Sequence, residues 1–250
     1  MRQLIVASVL AAAAGSAQAG YTSNLDLQID FGGQTWVMSQ YPTDWQTWTD
    51  DNGVFHISGQ STCFATSEGS ITAAYELVID TRDPSGSRGF PIASVSSNFT
   101  ITNSFPVANP FSVTATLPIV IPFPATGMRG SHSGSVIDNS ASQNGATVSA
   151  LAGGSLYEAL IDGATVQTLR NDPFSASAPG GGTNSISTTN FGVPAFLAGP
   201  AAGLQIGIRN SFILSAEDSV TSSSTFIITP TPGAAAVAGI AGLVGLRRRR

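Results

Sequence analysis

The chain has 250 residues, of which 42% are hydrophobic and 8% aromatic, enough to bury one sizeable core. Charged residues make up only 10%, against roughly 25% in soluble domains, and lysine is absent, so Ser, Thr, Asn and Gly must solvate the surface. Residues 20–229 hold five arginines and all fifteen acids, a net charge of −10, so nucleic acid is not an expected partner.

The N-terminus predicts export. Arg2 supplies a short positive region, residues 4–14 form an apolar segment of signal-peptide length, and Ala17-Gln18-Ala19 is a small-x-small cleavage site. We therefore expect a signal peptide over residues 1–19 and a mature chain that begins at Gly20.

The body, residues 20–228, has the pattern of an all-β domain. Residues 25–31 alternate strictly between apolar and polar side chains, which is typical of a strand with one buried face. Further runs rich in β-branched and aromatic residues lie at 54–58, 71–80, 92–103, 111–117, 204–216 and 219–228. No segment keeps a 3.6-residue period over three turns, so helices should be few and short. About ten to fourteen strands predict a two-sheet antiparallel β-sandwich, jelly-roll-like in form.

Segments rich in Gly and Pro predict one hairpin turn but no clear domain boundary. Asp162-Gly163, between two strand-like runs, suits the positive φ angles of a short hairpin turn. Residues 118–124 form a proline-rich crossing and residues 179–182 a glycine-rich loop that we expect to be flexible. Neither separates segments of different composition, so we treat the body as one domain, with a split near Pro122 as the alternative.

An aromatic cluster is the most unusual feature of the body. All three tryptophans lie within 13 residues, Trp36, Trp45 and Trp48, together with Tyr41, amid Gln, Thr, Asp and Pro that are typical of a loop. Aromatic rings that are exposed can stack on sugar rings, whereas buried ones fill the ends of sandwiches. These four residues therefore predict either a glycan contact or a core plug.

No catalytic or metal-binding motif is complete. Residues 130–134, GSHSG, resemble a nucleophile elbow but have His132 where serine is required, so we expect a solvated loop histidine. Residues 50–53, DDNG, lack the flanking carboxylates of a calcium loop and are expected to form a turn. One cysteine and two histidines cannot supply a zinc site. We expect no cofactor, no metal and no enzymatic activity.

The roles of two sets of reactive groups, the cysteine thiol and six carboxylates, are not decided by the sequence. Cys63, the only cysteine, has no internal disulfide partner and is expected to be a small buried residue, with a reactive thiol or an intermolecular bridge as the alternative. Nothing selects one pair among the carboxylates that could serve glycoside hydrolysis, namely Glu68, Glu76, Asp80, Asp83, Glu158 and Asp162.

The C-terminal residues 229–250 read TPTPGAAAVAGIAGLVGLRRRR. Residues 233–246 are drawn only from Gly, Ala, Val, Ile and Leu, and as a helix would reach about 21 Å, short of the roughly 30 Å of a bilayer core. The terminal arginines, Arg247, Arg248, Arg249 and Arg250, would stay on the cytoplasmic side as a stop. The exported body would thus be held by a short hydrophobic segment.

This layout resembles the PEP-CTERM sorting signal of Gram-negative bacteria over about 22 residues. Pro230, Thr231 and Pro232 stand where that family has Pro-Glu-Pro. The resemblance implies an exosortase as processing partner, a transient hold in the inner membrane and association with an exopolysaccharide envelope. A plain membrane anchor is the alternative.

Two classes of function follow. The first is a non-catalytic exported protein of the cell envelope or extracellular matrix, sorted through its tail. The second is a carbohydrate-binding or carbohydrate-active module that uses the aromatic cluster. Binding to polysaccharide distinguishes the two.

Overall fold

The computed structural model describes residues 26–51, 54–79, 93–119 and 122–231. The predicted signal peptide, the hydrophobic C-terminal segment, Pro232 and the four terminal arginines lie outside these residues. The described residues form sixteen strands and one turn of 3₁₀-helix at Met38–Gln40. The strands are β1 (Asp26–Phe31), β2 (Gln34–Val37), β3 (Trp45–Thr49), β4 (Phe55–Ala65), β5 (Ser70–Ile79), β6 (Ala93–Asn103), β7 (Asn109–Pro118), β8 (Thr126–Ile137), β9 (Ala146–Ala150), β10 (Ser155–Ile161), β11 (Ala164–Asn171), β12 (Ser175–Ala178), β13 (Thr183–Phe191), β14 (Leu197–Gly199), β15 (Gln205–Leu214) and β16 (Ser219–Pro230).

The strands form two packed antiparallel sheets, which confirms the predicted all-β sandwich. Sheet A has the order β11, β10, β15, β7, β1, β2, with β9 paired to β15 and to β12. Sheet B has the order β13, β8, β16, β6, β5, β4, β3, with β14 paired to β8. Strands from both sides of Pro122 are neighbours in each sheet, so the described residues build one sandwich.

The two sheets are joined by a folded ribbon. β6 pairs with β16 in sheet B, and β7 pairs with β15 in sheet A. The segments β6–β7 and β15–β16 therefore cross from one sheet to the other side by side, as the strands of a jelly roll do. β8 and β9 follow the same route on the other side of β16 and β15.

Strand alternation builds the core. Along β5, the side chains of Ile71, Ala73, Tyr75, Leu77 and Ile79 are all buried, whereas their neighbours face outward. The facing rows of the two sheets meet in one hydrophobic cluster. Its largest fully buried side chains include Trp36, Tyr157, Phe111, Phe212 and Phe226.

The predicted hairpin is also confirmed. β10 and β11 pair as far as Ile161 and Ala164, which leaves two residues in the turn. Asp162 has φ of 52° and Gly163 of 81°. Both values are positive, as a two-residue hairpin turn with the right twist requires.

The expectation of a solvated loop around His132 is wrong. GSHSG lies in the interior of β8, which pairs with β16 on one side and β13 on the other. Its glycines serve packing: a Cβ at Gly130 would lie 2.5 Å from Phe191 Cε1 and 2.6 Å from Tyr157 Oη, and one at Gly134 would collide with the Thr221 carbonyl oxygen. The glycines that suggested a loop are thus required by a crowded strand.

The glycine-rich loop at 179–182 is held by hydrogen bonds rather than free. Gly181 N–H donates to Asp138 Oδ2 at 2.8 Å, and Gly182 N–H donates to the Pro179 carbonyl at 2.9 Å. In turn, the Gly182 carbonyl accepts from Asp138 N–H at 3.0 Å. Asp138 therefore ties this loop to the end of β8.

Candidate functional site

Trp36 is a core residue and not a surface contact. It lies in β2, is 2% exposed, and stacks on Tyr41 with ring centroids 5.5 Å and planes 11° apart. Tyr75 of sheet B approaches it at 5.8 Å between centroids. Of the two hypotheses for the aromatic cluster, the core plug fits Trp36, which a glycan cannot reach. Tyr41, 43% exposed, covers it.

Trp45 and Trp48 lie on an edge strand, so the loop expected around them is wrong. In β3, Trp45 pairs with Gly59 and Trp48 with His56. Trp45 is half-buried and packs against the core cluster. Trp48 lies on the opposite, outer face of sheet B and is 40% exposed.

Trp48 packs against His56 of the neighbouring strand. Its indole stacks on the His56 imidazole with centroids 4.8 Å and planes 6° apart. His56 Nδ1 lies 3.0 Å from Glu76 Oε1, and Nε2 lies 3.8 Å from Asp50 Oδ2. The imidazole covers one face of the indole, and the exposed area of Trp48 forms a flat apolar platform.

Beside this platform, the outer face of sheet B is hollowed into an open groove of about 770 Å³, which we call the sheet B groove. It extends from β3 across β4, β5, β6 and β16 to Gly134 of β8. Its outward side chains include Ser58, Ala74, Asn98, Thr100, Thr221 and Ser223. The groove therefore runs across the strands, over about five spacings of roughly 4.8 Å each, or about 24 Å.

Short side chains in register explain the hollow. Ala74 lies opposite Thr100, and Thr100 opposite Thr221, so three neighbouring strands present small residues at one level. Their inward neighbours, among them Tyr75 and Phe99, are buried in the core. Because side chains alternate between the faces, the bulk lies inside and the outer face stays low.

Hydrogen bonds order the polar groups of the groove. Ser223 Oγ donates to Asn98 Oδ1 at 2.7 Å, so the Nδ2 amide is the part of Asn98 that can donate to a ligand. Thr221 Oγ1 lies 2.7 Å from Ser135 Oγ on the next strand. These contacts link β6, β16 and β8 and hold hydroxyl and amide groups along the groove.

The groove carries no positive charge of its own. Among its lining residues, Asp44 has the one carboxylate, which accepts from Ser61 Oγ at 2.8 Å and from Thr43 Oγ1 at 3.1 Å. A second carboxylate, Glu76, lies between Ser58 and Asn98 in the register of sheet B. The site is thus polar and weakly acidic.

The interior of the sandwich contains a separate polar cluster around His132. This residue is 1% exposed, and its Nε2 lies 3.3 Å from Ser222 Oγ. Ser222 and Ser224 hydroxyls are 3.4 Å apart, and Ser224 Oγ donates to Asn210 Oδ1 at 2.9 Å. Burial, with a smaller effect of the Arg170 charge, lowers the pKa of His132 to about 4. The cluster is therefore neutral and closed to solvent, so its Ser–His contact serves packing.

Cys63 is half-buried in β4. Burial, and after it the charge of Asp44, raises the pKa of the thiol to about 12. Its Sγ lies 3.9 Å from the Ser61 carbonyl oxygen. The thiol stays protonated and hence weakly nucleophilic, which favours the interpretation as a small packed residue.

Two of the carboxylates named for glycoside hydrolysis, Glu158 and Asp162, have structural partners. Glu158 pairs with Arg209 and accepts from Thr165 Oγ1 at 2.8 Å. Asp162 accepts the backbone N–H groups of residues 203–205 at 2.7 to 2.9 Å. Asp80 and Asp83 lie outside the described residues. No particular pair is selected as a catalytic dyad.

The described residues offer neither a metal site nor a membrane-spanning helix. Within them, no group of three or more His, Cys, Asp and Glu residues could hold a metal ion. The described part of the chain also has no helix long and apolar enough to cross a membrane. At the predicted turn, Asp50 N–H donates to the Val54 carbonyl at 3.0 Å, and Val54 N–H to Asp50 Oδ1 at 2.9 Å.

The start of the predicted sorting segment belongs to the sheet. β16 continues to Pro230, which lies opposite Thr126 of β8, and Thr231 N–H donates to the Ala125 carbonyl at 3.2 Å. The body therefore extends past the predicted boundary at residue 228. The remaining residues of the motif lie outside the described range.

The groove residues were missed by sequence reasoning. Ser58, Ala74, Asn98 and Ser223 belong to no motif, and they come together only because β4, β5, β6 and β16 are neighbours. The one available signal was the run of hydroxyl residues at 221–225 within an otherwise strand-like segment. No protein-family model, no curated protein and no solved structure matches this chain.

Proposed function

We propose that this chain is an exported, non-catalytic protein of the cell envelope or extracellular matrix, and that its sheet B groove binds polysaccharide. The observation that carries the proposal is the open polar groove beside Trp48. It joins hydroxyl and amide groups to an exposed aromatic platform on one face of a sheet.

A glycan fits this combination of groups. Sugar hydroxyls both donate and accept hydrogen bonds, as do the side chains of Ser, Thr and Asn along the groove. The apolar face of a sugar ring packs on a flat aromatic surface such as Trp48. Trp48 lies one outward position beyond Gln46, which lines the groove, so about 7 Å of strand separates the two.

Export and sorting complete the proposal and are supported by the sequence. The signal peptide would carry the body across the inner membrane, and the segment at 233–246 with its arginines would hold the precursor there. An exosortase-type enzyme would then release it to the outer surface. Its partner outside would be the exopolysaccharide of the envelope.

Glycan binding by the full-length protein, solubilised in a mild detergent, tests the proposal. Affinity electrophoresis through gels containing single soluble polysaccharides measures retardation directly. We expect retardation in at least one gel, and a loss of more than about tenfold in affinity for Trp48→Ala, the effect of removing a central aromatic contact.

Two further variants locate the site. Ala74→Ile places a larger aliphatic side chain at an exposed position of the groove floor and should block binding. Gln28→Ala changes an exposed residue of sheet A and should leave binding unchanged. Lack of retardation in every gel, or equal retardation of wild type and Trp48→Ala, would contradict the proposal.

A further inference from the structure

Resting on the proposed function, we infer that the sheet B groove takes an uncharged glycan laid across the strands, and that it discriminates against acidic glycans. The charge and the shape of the groove thus narrow its ligand from polysaccharide in general to neutral polysaccharide.

The carboxylates around the groove are the reason to expect discrimination against acidic glycans. Asp44 lines one end of it, where its carboxylate accepts from Ser61 Oγ, and Glu76 lies between Ser58 and Asn98 on the outer face of sheet B. A uronate or sulfate group bound over Ser58 or Asn98 would lie close to Glu76, their neighbour in the register of sheet B. Like charges repel, and no Lys or Arg is among the residues that line the groove.

The arginines of the described residues bind partners outside the sheet B groove. Arg129 Nε and Nη2 donate to the carbonyls of Gly192 and Pro194, and its guanidinium lies over the Phe196 ring. On the opposite side of the sandwich, Arg209 pairs with Glu158.

Arg170 donates to the Ser187 carbonyl and lies over Phe174. Two other arginines of the body, Arg82 and Arg88, fall outside the described residues. They belong to a segment that also contains Asp80 and Asp83 and therefore has no net charge.

The shape of the groove is the reason to expect an extended glycan chain. It crosses the strands for about 24 Å at roughly 4.8 Å per strand, and it is open along its length. Small polar side chains of β4, β6 and β16 lie along it, so contacts repeat along the groove instead of converging on one point. Repeated contacts suit the interior of an extended chain more than a single sugar or a chain end.

Matched pairs of polysaccharides test the inference, because each pair keeps the backbone and changes the charge. Suitable pairs are hydroxyethyl cellulose with carboxymethyl cellulose, and fully methyl-esterified with de-esterified homogalacturonan. Affinity electrophoresis of the full-length protein is run for both members at low and at high salt. We expect the uncharged member to bind more tightly, by about fivefold for each repelled carboxylate, and the difference to shrink at high salt.

The double variant Asp44→Asn with Glu76→Gln removes both charges and keeps the size of both side chains. It should bring the two members of a pair to equal affinity, and the readout is the ratio of affinities within each pair, because Glu76 also holds His56 beneath Trp48. Neutral oligosaccharides of increasing length should gain affinity until they span the groove and then reach a plateau.

The outcomes separate the two proposals. If no polysaccharide binds, the proposed function fails and this inference fails with it. If binding depends on Trp48 but the acidic member binds as tightly as its uncharged partner, or more tightly, only the inference is overturned. Equal affinity of the shortest and longest oligosaccharides would likewise overturn the extended-chain part.

Discussion

The Trp48 indole and the His56 imidazole lie face to face, with centroids 4.8 Å and planes 6° apart. His56 is itself fixed by Glu76, whose Oε1 lies 3.0 Å from His56 Nδ1. The exposed tryptophan is therefore held in place by a neighbouring strand. A ring that is ordered before binding loses less rotational freedom when a sugar stacks on it.

His56→Ala should weaken glycan binding without removing it. The substitution frees the Trp48 ring, and ordering one such side chain costs roughly 0.5–1.5 kcal/mol, or about two- to twelvefold in affinity. Affinity electrophoresis in the gel that retards the wild type measures the change. Wild-type affinity in this variant would show that the stack contributes nothing to binding.

Acid should destabilise the fold through His132. Its pKa is lowered from 6.5 to about 4, so between these values the unfolded chain binds a proton that the folded chain does not. Stability is therefore complete above pH 6.5 and decreases as the pH falls toward 4, by about 3 kcal/mol. Urea unfolding at a series of pH values measures this loss.

His132→Leu provides the control for that titration. The variant keeps a buried apolar side chain and removes the proton, so its free energy of unfolding should change less between pH 7 and pH 4 than that of the wild type. Carboxylates titrate in both proteins, so the difference between the two pH profiles of the free energy of unfolding reports the histidine alone. Parallel pH profiles would contradict the assignment.

The sequence predicted β5 from its alternation and missed β8. Residues 71–80 alternate apolar residues with others, and β5 lies at Ser70–Ile79. β8 was missed because Gly130 and Gly134 resemble loop residues. Their role depends on Phe191, Tyr157 and Thr221, which are distant in sequence and close only in the fold.

The candidate site was predictable only in part. The aromatic cluster in the sequence pointed to Trp48. In the fold Trp48 is exposed whereas Trp36 of β2 is buried, and no local sequence pattern distinguishes the two residues. The groove depends on the order of β3, β4, β5, β6 and β16 in sheet B. Strand order is set by long-range packing, which a single sequence does not reveal.

Gly134→Ala should destabilise the sandwich. A Cβ at this position would collide with the Thr221 carbonyl oxygen, a backbone atom of the paired strand β16 that cannot rotate away. Overpacking of this kind costs roughly 1–3 kcal/mol. Thermal unfolding followed by circular dichroism should show a lowered Tm, whereas Ala74→Ser on the exposed outer face should leave Tm nearly unchanged.

Asp138→Asn should loosen the loops at one end of the sandwich. The carboxylate accepts from Ser140 N–H and Oγ through Oδ1, and from Gly145 and Gly181 N–H through Oδ2. Those hydrogen bonds, with that of Ser140 Oγ the strongest, hold the pKa of Asp138 well below its usual range. An amide nitrogen cannot accept, so one pair of bonds is lost.

Hydrogen exchange measures that change directly. Either the Ser140 amide or the amides of Gly145 and Gly181, whichever face the new amide nitrogen, should exchange faster in Asp138→Asn than in the wild type. Because the pKa of Asp138 is lowered in the fold, its contribution is present above the ordinary carboxyl range and is lost as the pH falls below it. Unchanged exchange at Ser140 and at both glycines would show that the loops hold without this carboxylate.

The end of β16 limits where the tail can be cut. This strand lies between β6 and β8, and its hydrogen bonds continue to Thr231 N–H, which donates to the Ala125 carbonyl. A processing enzyme needs an accessible, extended chain. A cut before Thr231 would remove residues from the sheet, so we expect the new C-terminus at Thr231 or beyond.

We predict that mature protein from native cells lacks Arg247, Arg248, Arg249 and Arg250, and that replacing all four by Ser lets uncut protein pass the membrane. Moving an arginine to the bilayer centre costs about 2.5 to 3.5 kcal/mol even on the lenient insertion scale, so four in a row oppose full passage. Residues 233–246 are short and glycine-rich, which suits a temporary hold. Intact-mass measurement decides between the two interpretations of the tail, because a C-terminus that still carries the four arginines would refute processing and favour a permanent membrane anchor.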